Sequence, residues 1–112
     1  MSAPRLTRRM VLEARSEVSD GAGGLIVAWA ALGDLWVAVA PGTGREGGAE
    51  AVALGEVPVK ITVRGAPEGA PSRPVAGQRL REGGRLFRIL AVAEADAAGR
   101  YLTCFAREEV PA

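Results

Sequence analysis

Glu56-Val57-Pro58-Val59-Lys60-Ile61-Thr62-Val63-Arg64 decides the fold class. Val57, Val59, Ile61 and Val63 alternate with Pro58, Lys60, Thr62 and Arg64, the period-two pattern of a strand with one face buried. Comparable segments occur at Arg9–Arg15, Leu25–Leu32, Leu35–Ala40, Leu86–Glu94 and Tyr101–Arg107. Turn signals separate them. Gly83-Gly84 is a two-residue hairpin signal between Gln78–Glu82 and Arg85–Glu94, and Asp96-Ala97-Ala98-Gly99 turns the chain into a last strand over Arg100–Arg107. Gly33-Asp34 reads the same way, so Leu25–Leu32 and Leu35–Ala40 are expected to be two strands of one hairpin. Both are apolar on both faces, which predicts that this hairpin is central in a barrel or covered by another subunit.

The remaining segments complete an all-β chain. A first strand is expected over Leu6–Arg15, with Met10, Leu12 and Ala14 on one face and Arg9, Glu13 and Arg15 towards solvent or a partner. Ser19–Gly24 reads as a flexible connection. Gly42–Gly48 holds four glycines, Ala49–Leu54 could make one short helix before Gly55, and Glu108–Ala112 reads as a short polar tail. Together these predict one domain over residues 1–112, a small antiparallel β-barrel or sandwich of six to seven strands. Flexible loops are expected at about 41–56 and 65–75, the second containing three prolines and two glycines between Gly65 and Pro74.

Composition narrows the function. At 112 residues, 48% hydrophobic and 24% charged, the chain has the make-up of one soluble globular domain. Aromatics are few, and the core is expected to be Val, Leu, Ile and Ala, with Trp29 and Trp36 supplying most of its bulk. The net charge of +1, from 14 basic and 13 acidic residues, gives no global electrostatic case for nucleic-acid binding. Thirteen of the 14 cations are arginine, which suits bidentate interface contacts but also follows from a GC-rich genome. Leu25–Ala40 is 16 apolar-rich residues, shorter than the roughly 20 of a spanning helix and interrupted by Gly33-Asp34, so no membrane association is expected.

The catalytic inventory is short. With no histidine and one cysteine, there is no Ser/His or Cys/His nucleophile system and no zinc ligand set. Cys104 is expected to be a small core residue. No enzyme activity, cofactor or metal is therefore expected. Gly42-Thr43-Gly44-Arg45-Glu46-Gly47 spells G-x-G-x-x-G after a strand, but Gly55 stops any helix too early for a dinucleotide fold, and a glycine-rich loop is the better reading. Arg5, Arg8 and Arg9 are candidate contacts to phosphate or an acidic partner; a solvated strand edge that resists aggregation explains them equally well.

Taken in order, several pieces resemble the head-to-tail joining, or head-closure (stopper), family of tailed phages. They are Leu6-Thr7-Arg8-Arg9-Met10-Val11-Leu12, Asp20-Gly21-Ala22-Gly23-Gly24, Trp29 followed by Leu35-Trp36-Val37-Ala38-Val39, Gly44-Arg45-Glu46, Val59-Lys60-Ile61-Thr62-Val63-Arg64, Phe87-Arg88-Ile89 and Leu102-Thr103-Cys104. One departure is Gly65-Ala66, where the family usually places an aromatic. The resemblance implies a β-barrel virion subunit in a homo-oligomeric ring, sixfold by preference and twelvefold as the alternative. The ring would sit in the neck of a phage, prophage or gene transfer agent particle, assembled in the bacterial cytoplasm. It would meet portal and adaptor proteins on the head side and a tail terminator on the tail side, and retain double-stranded DNA without reading its sequence. Adaptors of this system are more helical, which favours the stopper. Gly42, Thr43, Gly44, Arg45, Glu46 and Glu50 then become a candidate loop facing the channel or a partner. The alternative reading is a small β-barrel nucleic-acid-binding module.

Overall fold

The computed structural model describes residues 3–42 and 56–109. Within them six strands form, and no helix: β1 Arg8–Ser19, β2 Leu25–Pro41, β3 Glu56–Arg64, β4 Arg79–Glu82, β5 Arg85–Glu94 and β6 Tyr101–Glu109. All pairings are antiparallel, and the order β1-β2-β3-β6-β5-β4 closes on itself as a barrel. The glycine-rich run after Gly42 and the short helix expected over Ala49–Leu54 lie outside the described residues.

Alternation sends one face of each strand inwards. Val59, Ile61 and Val63 of β3 meet Met10 and Leu12 of β1, Val37 of β2, Leu80 of β4, Phe87 and Ile89 of β5, and Leu102, Cys104 and Ala106 of β6. Every one of these is almost inaccessible to water. Phe87 is the largest, so it fills the volume that aliphatic residues alone would leave open.

The expected hairpin at Gly33-Asp34 is not there. β2 runs unbroken through both residues for 17 positions and pairs along its upper length with β1. The pairing steps from Leu12–Gly33 to Glu13–Ala31, leaving Leu32 as the extra residue of a β-bulge. Gly33 has φ +147°, which L side chains rarely adopt, and Asp34 pairs with Arg9 at 2.8 Å. Glycine and aspartate thus serve a bulge and an ion pair instead of a turn. The hairpin joining β1 to β2 is Asp20–Gly24, where the Asp20 carboxylate accepts hydrogen bonds from the Ala22 and Gly24 amides. β1 accordingly extends to Ser19 instead of ending at Arg15, and β6 continues to Glu109 instead of giving way to a tail at Glu108.

The tryptophans do not build the core. Leu35 and Val37 take the inward register, which turns Trp36 outwards, 57% exposed. Trp29 stands on the outer face beneath the Arg79 guanidinium, 4.1 Å from the ring centre. Gly83-Gly84 does form the two-residue connection between β4 and β5, with Glu82 opposite Arg85. Gly65 explains the missing aromatic beside it. Its amide donates to the Arg100 carbonyl at 2.7 Å, and a Cβ there would lie 2.2 Å from the Gly99 carbonyl oxygen.

Burial pushes the Cys104 thiol up to about 12. A thiol reagent at pH 8 is therefore expected to label it only as fast as the barrel opens. Phe87→Ala should remove about 3–5 kcal/mol of stability in denaturant titrations and speed that labelling in proportion. Rapid labelling of the folded wild-type protein would contradict this core.

Candidate functional site

The barrel accounts for only part of β1 and β2. β4 pairs with β1 only at Val11–Glu13, and β3 pairs with β2 only at Val37–Pro41. Ala14–Ser19 and Leu25–Ala31 therefore continue beyond the barrel as a two-stranded ribbon, which lengthens the molecule to 55 Å against widths of 34 and 23 Å. One open groove runs along the ribbon, lined by Ala14–Glu17 and Val75–Gln78; another, lined by Leu6, Asp34, Leu35, Trp36 and Arg64–Ala66, lies on the barrel beyond it.

Direct cross-strand partners share a face, so the pairing assigns each side of the ribbon. Val18 with Ile26, Ser16 with Ala28 and Ala14 with Ala30 continue the inward face of the barrel, and none of the six carries a charge. Ser19 with Leu25, Glu17 with Val27 and Arg15 with Trp29 continue the outward face. Leu25 is 68%, Ile26 55% and Val18 52% exposed. Large apolar side chains gathered in this way on a projecting ribbon make a surface suited to contact with another molecule. The expected central place in the barrel does not hold for Leu25–Ala31, which projects beyond it.

Ion pairs fix the ribbon to its base. Glu13 was expected to face solvent or a partner; instead it is buried at the seam between β1 and β4. Its two carboxylate oxygens accept from Arg79 Nε at 2.6 Å and Arg81 Nε at 3.0 Å. Burial pushes this carboxyl up, but the two guanidinium groups outweigh it and hold the group below the usual range. The sequence signal was available as Arg79-Leu80-Arg81, two cations one strand repeat apart, though nothing there names their partner.

A second cluster closes the opposite end of the barrel. Arg8 donates to both oxygens of Glu82 at 3.0 and 2.5 Å, and Arg85 to both of Glu108 at 2.6 and 2.9 Å. All four follow the inward register of their strands, so they cap the apolar core with paired charges. Hydrogen bonds from Arg8 and Arg85 hold Glu82 and Glu108 below the ordinary carboxylate range. On the outer face, Glu56 joins Arg88 at 2.6 Å and Arg107 at 3.2 Å.

These networks decide what the candidate cations can do. Arg8 is engaged with Glu82, and Arg9, 64% exposed at its side chain, with Asp34. Arg5 is exposed, and no carboxylate among the described residues pairs with it. The three do not converge on one anion site. Gly42 is held to β3 by its amide, 3.0 Å from the Pro58 carbonyl, while Thr43, Gly44, Arg45, Glu46 and Glu50 lie outside the described residues. Among the described residues, no three of Asp, Glu, His and Cys gather as metal ligands.

A family model described as phage head completion protein matches residues 1–109. The chain belongs to this family. Its fold is similar to that of a chain in a solved virion of a native gene transfer agent particle, at 55% identity and a TM-score of 0.80, covering 98% of this chain and all of the other. It also resembles the solution structure of protein SF1141 from Shigella flexneri 2a, at 23% identity, a TM-score of 0.65 and 96% coverage of each chain; this likeness concerns the fold alone. No curated protein matches the chain. Head completion proteins are structural parts of virions.

Because the Glu13 carboxyl is depressed in the folded protein, its contribution is present above its unfolded value and lost as pH falls through the folded one. Glu13→Gln is expected to cost roughly 1–3 kcal/mol near neutral pH, at the low side for a buried pair because Arg81 is partly solvated. The gap from wild type should shrink as acid is added. Thermal melts of both proteins between pH 7 and pH 3 check this; a gap that widened in acid would contradict it.

Proposed function

We propose that this head completion protein is a non-enzymatic ring subunit in the neck of a phage-like particle. The ring joins the portal and adaptor side to the tail terminator side and retains packaged double-stranded DNA until release. The observation that carries the reading is the 55% identity, over essentially both chains, to a component of a native gene transfer agent virion. The family match over residues 1–109 supports it. Six copies per ring are favoured and twelve are the alternative, with assembly in the bacterial cytoplasm before tails attach.

The charge arrangement suits such a ring. Arg8, Arg9, Arg79, Arg81, Arg85 and Arg88 are all paired with carboxylates of their own chain. A wall with its cations neutralised in this way lets DNA slide, since each phosphate contact adds affinity and salt dependence. DNA is handled as a charged rod, without sequence recognition. Gly42 and Glu56, which flank residues 43–55, stand at the end capped by Arg8, Glu82, Arg85 and Glu108. Gly42, Thr43, Gly44, Arg45, Glu46 and Glu50 are proposed to face the channel or the adaptor there, and Arg5 and Arg9 to contact a neighbouring protein.

Deleting the gene tests the role directly. Electron microscopy of the resulting particles is expected to reveal heads that have lost DNA beside free, complete tails. Normal tailed particles would overturn the reading. Short duplex DNA bound tightly by the isolated protein, with a steep salt slope, would favour a nucleic-acid-binding module instead.

A further inference from the structure

β2 outruns one of its two neighbours and is left with an open edge. In the ring order it lies between β1 and β3, yet β3 pairs with it only at Val37–Pro41. Leu25–Trp36 is therefore paired on one side alone, and no backbone hydrogen bond from another described segment reaches its other side. In an antiparallel pair every second residue turns its N–H and C=O away from the partner strand, so this edge presents a row of main-chain donors and acceptors. Proteins ordinarily guard such an edge with charged residues, proline or a bulge. Here the bulge at Leu32 lies at the foot, and Leu25–Ala31 beyond it is seven residues without a charge, a proline or a glycine. The free edge of β1, Ala14–Ser19, differs, because it carries Arg15 and Glu17, paired at 3.4 Å.

The foot of this edge has a chemistry of its own. β3 parts from β2 after Val63, and the Gly65 amide turns to the Arg100 carbonyl instead. Asp34–Trp36 and Arg64–Ala66, the residues that would have continued the ladder, line an open groove. Asp34 is matched by Arg9 at 2.8 Å. Arg64 is exposed, and no carboxylate among the described residues pairs with its side chain. The charge left over at the foot is thus positive, while the seven residues beyond it are neutral. We propose that the open edge of β2 takes a strand from a different protein of the particle: an extended, uncharged segment, antiparallel to β2, that enters beside Arg64 with an acidic residue. β3 runs antiparallel to β2 and vacates this edge, so a strand entering at the groove and running out to the tip continues the same ladder in the same sense. Main-chain hydrogen bonds hold it, and its alternate side chains select it. The inference rests on the neck reading above and names the kind of partner the ribbon meets.

The edge itself selects this occupant. Main-chain groups repeating along a strand are satisfied in series only by another extended chain, which excludes a helix or a compact ligand. Seven residues span about 23 Å, the length of an ordinary strand. Leu25, Ile26 and Val27 are exposed, and cross-strand neighbours of this kind favour uncharged β-branched or aromatic side chains opposite them. A second copy of the chain has no suitable strand to give. Closure pairs its barrel strands with one another. The carboxylates at its own ribbon edges, Glu13, Glu17 and Asp34, are held by arginines of the same chain and bring nothing to Arg64.

The test compares amide hydrogen exchange of the isolated full chain with that of the same chain in purified particles, residue by residue. In the isolated protein the amides of Leu25–Ala31 should alternate, slow where they face β1 and fast where they face the open edge. In particles the fast class should slow at least tenfold. A photo-crosslinking p-benzoylphenylalanine at the exposed Val27 then identifies the neighbour. Its links should map to an extended, uncharged segment of a different particle protein, with an acidic residue on the N-terminal side. Links only to this chain, within one copy or between copies, would overturn the proposal. Arg64→Glu should cut the link yield at least tenfold and Arg64→Lys should retain it, both with the wild-type melting temperature; an undiminished yield in Arg64→Glu would also overturn it. The two levels of inference separate cleanly. A protein absent from purified particles overturns the neck reading and this inference with it, whereas a protein present with its edge amides still fast overturns this inference alone.

Discussion

The barrel depends on a seam three residues long. β1 must pair with β2 on one edge and with β4 on the other, and the second pairing consists only of Val11–Arg81, Leu12–Leu80 and Glu13–Arg79. Without it the six strands are an open sheet with β1 and β4 as free edges, and Leu12 and Leu80 lose their neighbour across the seam. Leu12 and Leu80 meet directly at the seam, both fully buried. Glu13 then fastens its outer side by accepting hydrogen bonds from two arginines of β4. The pair is buried enough to be strong and hydrogen-bonded enough not to be costly. Arg79 has a second duty, because its guanidinium also covers Trp29 at the foot of the ribbon. One small cluster therefore closes the barrel and sets the angle at which the ribbon leaves it.

How much of this could be read from the residues follows from which interactions are local. The β3 alternation translates directly into burial because β6 pairs along its whole length and β2 flanks Val59–Val63 on the other side. Gly83-Gly84 was legible because a two-residue turn leaves no other register. Gly33-Asp34 misled for a physical reason: bulges and tight turns recruit the same residues, since both need unusual φ or a short polar side chain. Only the identity of the pairing partner separates them, and that partner, β1, is some twenty residues away. The tryptophans misled because apolarity says nothing of which face a strand presents; Trp36 is outward because Leu35 and Val37 are inward. Ion pairs such as Arg8 with Glu82 join residues 74 positions apart and carry no local signature. The candidate site divides in the same way. That Leu25–Leu32 was apolar on both faces was plain, while its place beyond the barrel emerges only once the pairings of β3 and β4 are known.

The distribution of charge connects fold to assembly. A chain with thirteen arginines and thirteen acidic residues could have presented strongly basic and acidic patches. Instead most of the described arginines are matched within the chain, at the seam, at the capped end of the barrel and on the outer face around Glu56. Internal neutralisation removes long-range steering, so association relies on shape and apolar contact, which act only at short range. In the neck role proposed above, subunits neutralised in this way would not collect along DNA, whose phosphates attract unpaired cations, and would stay available for protein surfaces. Arginine makes the neutralisation durable, because its charge persists at any physiological pH and its two-pronged geometry holds a carboxylate against competition. Much of the arginine charge is thereby matched within the chain, leaving the inward-register face of the ribbon as an exposed surface without charge.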